Sequence, residues 1–402
     1  MAKRKRVVTR HRLAALEHRR TRKMARSAHA FVRGSTARFY RWLASSDAPR
    51  LPDGPPIWIC GDCHVGNLGP VADENGRVQI QIRDFDQCAI ANPAFDLCRL
   101  ALSLAVLARS SDLPGISTAH MLEYLLQGYE AAFPETSDPL PPLPPSLHME
   151  VRRAHRRSWK ALARERTEGE TLHLPLGGDF WPITKRERKG IASLFQDAST
   201  AQLATQLRER SSSGKVSVLD GAYWRKGCSS LGRLRFAVLL DVDGAASEGN
   251  DLCLMDIKEA TASLAPTARS ARQPKDPALR VLEAARQLSP ALGERMVAST
   301  LLERPVFVRE LLPQDLKLDI VHVGQKEARR IACYLGTVVG RAHARQLDIN
   351  ERSEWRRELR KNHSRSLSAP SWLWRATVGL LADHESAYLE HCRRYVGAAS
   401  RA

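Results

Sequence analysis

The 402-residue sequence contains no apolar run near the roughly 18–20 residues needed to cross a bilayer. Its longest, residues 100–108, has nine residues with Ser103 among them, so no membrane-spanning helix is expected. The N-terminus is basic but lacks the apolar stretch of a signal peptide, which argues against export. Cysteine is sparse, eight in all. In a chain of this length the cysteines read as reduced thiols of a cytoplasmic protein rather than a disulfide framework. No internal repeat, zinc-finger spacing or RNA-binding aromatic signature is present. Acidic residues are also few, 44 against 62 Lys and Arg, for a net charge of +18.

That excess is uneven. Residues 1–26 hold eleven basic side chains (Lys3, Arg4, Lys5, Arg6, Arg10, Arg12, Arg19, Arg20, Arg22, Lys23 and Arg26) against Glu17 alone. A basic arm binds phosphates by releasing counterions, which points to nucleic acid or another anionic partner. The competing reading is a solvated helix face. The overall balance, 43% hydrophobic and 26% charged, is that of a globular protein with a sizeable core. The length fits two or three domains, or one large two-lobed unit.

Along the chain, residues 9–46 read as helical and 57–60 as a short strand, followed by a polar turn through Pro70. Residues 78–83 (V-Q-I-Q-I-R) alternate like a half-buried strand after an Asn75-Gly76 turn. Helices are expected at 94–109 and 118–133, a six-proline linker at 134–145 and polar, mostly helical chain at 147–210. Strands follow at 216–219, 233–240 and 252–258, then a helix at 276–288. Two more strands, 297–302 and 306–311, turn at Glu303, Arg304 and Pro305. Helices at 325–346 and 372–395 close the pattern: helical, β-rich, helical.

One constellation stands out. Phosphoryl transfer uses a carboxylate at the attacking hydroxyl, with an amide and a second carboxylate holding magnesium against the phosphates. Gly61-Asp62-Cys63-His64-Val65-Gly66-Asn67 and Ile82-Arg83-Asp84-Phe85-Asp86 supply these types in order: Asp62, then Asn67 five residues on, then Asp84 at the end of the next strand. Asp86 reads equally as a second metal ligand or a turn residue. The simpler reading of the whole set is turn-forming Asp, Asn and Gly. Downstream, Gly227, Ser229, Ser230 and Gly232 form a glycine hairpin whose amides can approach phosphates. Lys258 sits on a later strand, and Glu283, 25 residues beyond it, can hold that lysine. Cys60-Gly61-Asp62-Cys63-His64 also matches a haem-attachment spacing, but without an export signal its cysteines read as packing residues. Asp96 reads as a helix cap or loop brace, and His343 as a buried hydrogen-bonded histidine.

These stretches resemble the bacterial family called domain of unknown function 2252, over most of residues 24–350. The resemblance takes in Phe31-Val32-Arg33-Gly34, the G-D-x-H-x-x-N-x-G run from Gly61 to Gly69, Asp84-Phe85-Asp86 and the helix opened by Asp96. It continues through the glycine hairpin, Ile257-Lys258-Glu259-Ala260, Val308-Arg309-Glu310-Leu311 and Arg341-Ala342-His343-Ala344-Arg345. More distantly, the chain resembles the protein-kinase-like superfamily, especially aminoglycoside and choline phosphotransferases, whose loop reads H-G-D-x-x-x-x-N. Cys60 stands where that histidine would be, and Ser229 replaces the middle glycine of the nucleotide loop. The resemblance implies Asp62 as catalytic aspartate, Asn67 and Asp84 as magnesium ligands, and a Lys258–Glu283 ion pair. It also implies ATP with magnesium as cofactors and an acceptor hydroxyl of unspecified identity.

The element order is rotated relative to an ordinary kinase, which implies a circularly permuted, two-lobed α+β fold. Its expected parts are a basic arm (1–30), a helical large lobe (31–215), a small antiparallel β-rich lobe with hinge (216–312) and returning helices (313–402). The expected function is kinase-like phosphotransfer. The alternatives are an inactive nucleotide-binding regulator and a nucleic-acid binder using the arm.

Overall fold

In the computed structural model the described residues are 9–73, 75–133, 140–155, 173–205, 214–228, 231–244, 252–312, 318, 320, 323–361 and 371–399. Ser229 and Ser230 lie outside them, as do Lys3, Arg4, Lys5 and Arg6 and most of the proline-rich linker.

The expected helix over 9–46 is three helices: α1 (Thr9–Met24), α2 (Ala28–Gly34) and α3 (Thr36–Leu43). Ser27 breaks the run, its hydroxyl accepting the Ala30 N–H at 3.1 Å as an N-cap. After β1 (Ile57–Ile59), the stretch expected to be a polar turn contains β2 (Leu68–Ala72), which pairs antiparallel with β3 (Val78–Ile82). β4 (Ala89–Ala91) returns to β1. Then come α4 (Ala94–Ser110), α5 (Gly115–Glu130) and α6 (Pro145–His155).

β5 (Phe180–Trp181), α7 (Lys185–Leu194) and α8 (Ala198–Thr205) precede β6 (Val216–Trp224), β7 (Arg235–Val242) and β8 (Leu252–Glu259). Helices α9 (Pro277–Leu288) and α10 (Pro290–Gly293) are followed by β9 (Met296–Leu301) and β10 (Arg304–Glu310). The last helices are α11 (Gln325–Ala344), α12 (Ile349–Leu359) and α13 (Ser371–Ala399).

The main sheet has six antiparallel strands in the order β5-β6-β7-β8-β10-β9. β7 is central and buried along its length, as its apolar run F-A-V-L-L predicts. The β9–β10 hairpin turns through Leu302 and Glu303, both left-handed with φ of 54° and 65°. Ile191, Leu194, Phe195 and Leu203 from α7 and α8 pack into the sheet's apolar core with Phe236, Val238 and Ile257. The sheet unit therefore begins before residue 216 and takes in helices expected in the large lobe. α9, between β8 and β9, packs the other way. Val281, Ala284 and Ala285 join the larger core built by α4, α5 and α11. The result is a mixed α and β fold with antiparallel sheets.

Two features of the helical body set positions used by the site. α5 and α11 touch backbone to backbone. A Cβ on Gly128, Gly336 or Gly340 would lie 2.0–2.4 Å from the carbonyl oxygen of Cys333, Leu125 or Tyr129, respectively. α13 packs on α4 and carries His384, which is 1% exposed and donates Nδ1–H to the Leu380 carbonyl at 2.9 Å. Burial, with Arg99 nearby, lowers its pKa from 6.5 to about 4. A depressed folded-state pKa means His384 supports the fold fully above about pH 6.5, and that contribution is lost as pH falls toward 4. A shift of this size corresponds to about 3 kcal/mol. Urea titrations at pH 7 and pH 4 should show the loss, and a His384→Gln variant should lose less over the same interval. An equal loss in both would assign the acid sensitivity to other groups.

The basic segment is not a projecting arm where it is described. In α1, Arg12 is buried, donating to Glu187 at 2.7 Å and to the Pro182 carbonyl at 2.6 Å. Lys23 Nζ donates to the Gly227 carbonyl at 3.0 Å, and Leu16 is buried in the sheet core. On the other side, His391 and Tyr388 of α13 bond the carbonyls of Thr21 and Ala25. α1 thus straps the sheet unit to the helical body. Among the described residues no helix is long and apolar enough to cross a membrane.

Candidate active site

Asp62 sits on the turn leaving β1, and that turn hangs from a carboxylate on another element. Asp96, fully buried in the first turn of α4, accepts the N–H groups of Cys60 at 2.7 Å and Gly61 at 2.9 Å. Tyr40 donates its hydroxyl to the Gly61 carbonyl at 2.6 Å. Gly61 has φ +72°, and a Cβ there would fall 1.8 Å from the Gln87 carbonyl oxygen, so glycine alone fits.

Behind Asp96 runs a relay of hydrogen bonds. Trp355 donates to the Tyr129 hydroxyl at 3.0 Å, Tyr129 to His343 Nδ1 at 2.9 Å, and His343 Nε2–H to Asp96 at 3.3 Å. In this order of donors His343 Nε2 carries the proton that faces Asp96 and Nδ1 accepts from Tyr129. Asp96 and His343 are the loop brace and the buried bonded histidine that their sequence contexts suggested.

The Asp62 carboxylate is 6% exposed on a residue basis. Oδ1 accepts from Arg99 Nε at 2.8 Å and Oδ2 from the Thr36 hydroxyl at 3.0 Å. Burial raises its pKa above the usual carboxylate range despite these two partners. Asn67 turns its Nδ2 back to the Asp62 carbonyl at 2.9 Å, which leaves its amide oxygen as an acceptor. His64 Nε2 lies 3.9 Å from Asp62 Oδ2. Burial and the nearby Arg33 and Arg99 hold His64 neutral, and its Nδ1 is buried without a hydrogen-bond partner among the described residues.

Just past β3, Asp84 and Asp86 face Lys258, which projects from β8. Lys258 Nζ is 2.5 Å from Asp86 Oδ2 and 3.3 Å from Asp84 Oδ1. The two carboxylates differ in setting. Asp84 keeps 39% of its side-chain surface and Asp86 only 8%. For Asp84, burial opposes ionisation, but Lys258, Arg309 and Arg235 overcome it and hold the carboxyl well below its ordinary range. Asp86, deeper and beside a charged Asp84, is pushed up.

Glu283 is not near this lysine. It lies on the exposed stripe of α9, and the inward position one turn earlier belongs to Arg280, which donates to the carbonyls of Asp86 and Thr261. A spacing of 25 residues gave the helix but not its rotation. Asp86, and not Glu283, is the closest carboxylate to Lys258.

Arg33, Asp62, His64, Asn67, Arg83, Asp84, Lys226, Gly227, Arg235 and Arg309 converge on one cavity of about 70 Å³ between the sheet unit and the helical body. Gly227 (φ +100°) is on its wall, whereas Gly232 (φ +103°) is not among the lining residues. The arginines are the part that sequence reading did not single out. Arg235 and Arg309 share Asp256, which is fully buried, with Arg235 bonding both its oxygens at 2.9 and 2.6 Å and Arg309 at 3.2 Å. Arg99 and Arg33 were visible only as members of F-D-L-C-R and F-V-R-G. The cysteines Cys60, Cys63, Cys88 and Cys98 are fully buried. Among the described residues no group of three or more His, Cys, Asp or Glu forms a metal cage.

Fold and site together define a mixed α and β protein with a buried aspartate–arginine pair and a lysine–carboxylate cluster, Asp62 of the one and Asp84 of the other lining the same cavity. The chain belongs to the family described as "Uncharacterized protein conserved in bacteria (DUF2252)", which matches residues 12–394. Neither the curated proteins nor the solved structures contain a match to it.

Proposed function

We propose that this chain is an ATP- and magnesium-dependent phosphotransferase with a circularly permuted, protein-kinase-like fold. The observation that carries the reading is the convergence of Lys258 on Asp84, 3.3 Å apart and 174 residues apart in sequence, over the cleft that holds Asp62 and Asn67. The sheet supports it. Lys258 lies on the third of three successive strands, β6, β7 and β8, and the chain then enters a helix before returning through β9 and β10. Lysine on the third small-lobe strand, followed by a helix, is the kinase arrangement.

Asp84, ionised and partly exposed, and the amide oxygen of Asn67 fit an incomplete oxygen site of the kind magnesium occupies together with phosphate oxygens. Bound there, the ion would neutralise charge developing on the transferred group. Lys258 would pair with donor phosphates, exchanging part of its contact with Asp86. Asp62, with a raised pKa and a spare lone pair on Oδ2, orients the acceptor hydroxyl and takes its proton. The cavity is far below the about 300–1,000 Å³ of pockets that enclose whole small ligands, so it suits the phosphate end of a nucleotide, with the rest outside. The nucleic-acid alternative loses support from the docked α1, whose Arg12 and Lys23 are engaged within the chain.

Calorimetric titration of ATP with magnesium tests the reading. Saturable, magnesium-dependent binding is expected in the parent protein and should be lost in Asp84→Ala. Asp62→Asn should retain binding and lose turnover. Absence of binding in a demonstrably folded parent protein refutes the proposal, and binding with no Asp62-dependent turnover favours the regulator alternative.

A further inference from the structure

We infer that Lys23 is a positioning residue for the donor phosphates: it holds the β6–β7 connection against α1 and so fixes how the part of the cavity wall made by Gly227 meets the nucleotide. This rests on the phosphotransferase reading and deepens it, adding to that site a part supplied by the basic N-terminal helix.

β6 and β7 pair as far as Tyr223 and Phe236, and the chain that leaves β6 carries Gly227 and Cys228 onto the cavity wall. That connection is tied down from the helical side. Lys23, in the last turn of α1, donates from Nζ to the Gly227 carbonyl at 3.0 Å, across 204 residues of sequence. One turn earlier, Arg20 donates at 3.1 Å to the carbonyl of Gly34, the last residue of α2. Cys228 rests at the same junction, because a Cβ on Gly34 would lie 2.8 Å from Met24 Sδ and 3.0 Å from Cys228 Sγ. Arg12, Leu16, Arg20 and Lys23 share one face of α1. Along that face the helix meets in turn Glu187, the sheet core, the end of α2 and the β6–β7 connection.

The bond at Gly227 has a consequence for an anionic ligand. Backbone N–H groups favour an anion, and a carbonyl oxygen aimed at it repels it. Lys23 is not among the residues lining the cavity, so its hold on the Gly227 carbonyl draws that oxygen toward α1 and away from the phosphates. Gly227 has φ +100°, and glycine populates either sign of φ, so no side chain of its own fixes the peptide. The ammonium supplies the restraint that glycine lacks. Lys23 is half-buried, and burial with Arg19 beside it lowers its pKa. An ammonium drawn partly out of water bonds a carbonyl more strongly than a fully solvated one.

The test is calorimetric titration of ATP with magnesium into full-length proteins, each shown to be folded by urea titration. Lys23→Met keeps most of the stem and removes the donor, and it should weaken ATP by about tenfold. Lys23→Arg restores a donor and should bring affinity back to within about threefold of the parent. Arg19→Met is the control for a loosened helix. It cuts α1 from the Gly178 carbonyl and Asp179 without touching the β6–β7 connection, and it should change ATP affinity less than about twofold. If the methionine variant at position 23 does not fold, Lys23→Ala takes its place. If the parent binds ATP and the Lys23 variants bind it as tightly, or Arg19→Met weakens it as much as Lys23→Met, or arginine does not rescue, Lys23 serves only the fold and the phosphotransferase reading stands. If the folded parent protein does not bind ATP, both fall.

Discussion

Substituting alanine for Gly61 is expected to destabilise the fold by about 4 kcal/mol or more. The left-handed φ of +72° alone costs a non-glycine residue roughly 1–2 kcal/mol. The larger part is steric, because the new Cβ would overlap the Gln87 carbonyl at 1.8 Å and neither group is a flexible side chain. The turn has to move, and it is held by the Cys60 and Gly61 amides on Asp96 and by Tyr40 on the Gly61 carbonyl. Each such bond contributes on the order of 1 kcal/mol, and leaving the Asp96 carboxylate short of donors costs more. Chemical denaturation of parent and Gly61→Ala proteins measures this. A variant with the parent midpoint would mean that the turn has slack the geometry does not show.

The second large effect is at Arg99. Its side chain is fully buried, bonded through Nε to Asp62 and through Nη2 to the Val32 carbonyl, with the guanidinium 5.2 Å from the centre of the Phe39 ring. Arg99→Leu removes the cation and leaves the Asp62 carboxylate buried without it, a change worth about 3–5 kcal/mol of stability. The Asp62 pKa, already raised by burial, should climb further. Adding Asp62→Asn removes the stranded charge, so the double variant should be more stable than Arg99→Leu alone. Equal or additive losses would show that the pair is not coupled. Arg99 and Thr36 act against the burial that raises the Asp62 pKa.

Much of this was legible in the chain. Strand β3 was visible in V-Q-I-Q-I because one face is buried and the other is not, and β8 and β10 in their apolar runs. The loop residues Asp62, Asn67 and Asp84 were visible because their spacing is local, fixed by one turn and one short hairpin. What could not be seen is what depends on rotation or on long range. A 12-residue helix after Lys258 was evident, but which of Arg280 and Glu283 points inward is settled by packing against β10 and β1. The arginines lining the cavity were invisible because they come from α2, the residue after β3, β7 and β10. In each stretch an arginine looks like an ordinary surface charge. The basic N-terminal segment misled for a related reason, since charge alone does not distinguish a helix that reaches outward from one whose arginines are bonded to Glu187 and the Pro182 carbonyl.

The brace on the Asp62 turn joins residues made far apart in time. Asp96 and His343 are separated by 247 positions. At about 5–20 residues per second on a ribosome, roughly 12–50 s pass between them. During that interval Asp96 has been made and its histidine partner has not. The hydrogen bond that supports Asp96 from behind can form only after α11 has been synthesised and its glycines lie against α5. A chain stalled or clipped before that helix would carry every residue of the Asp62–Asp84 motif and still lack the support that gives the motif its shape.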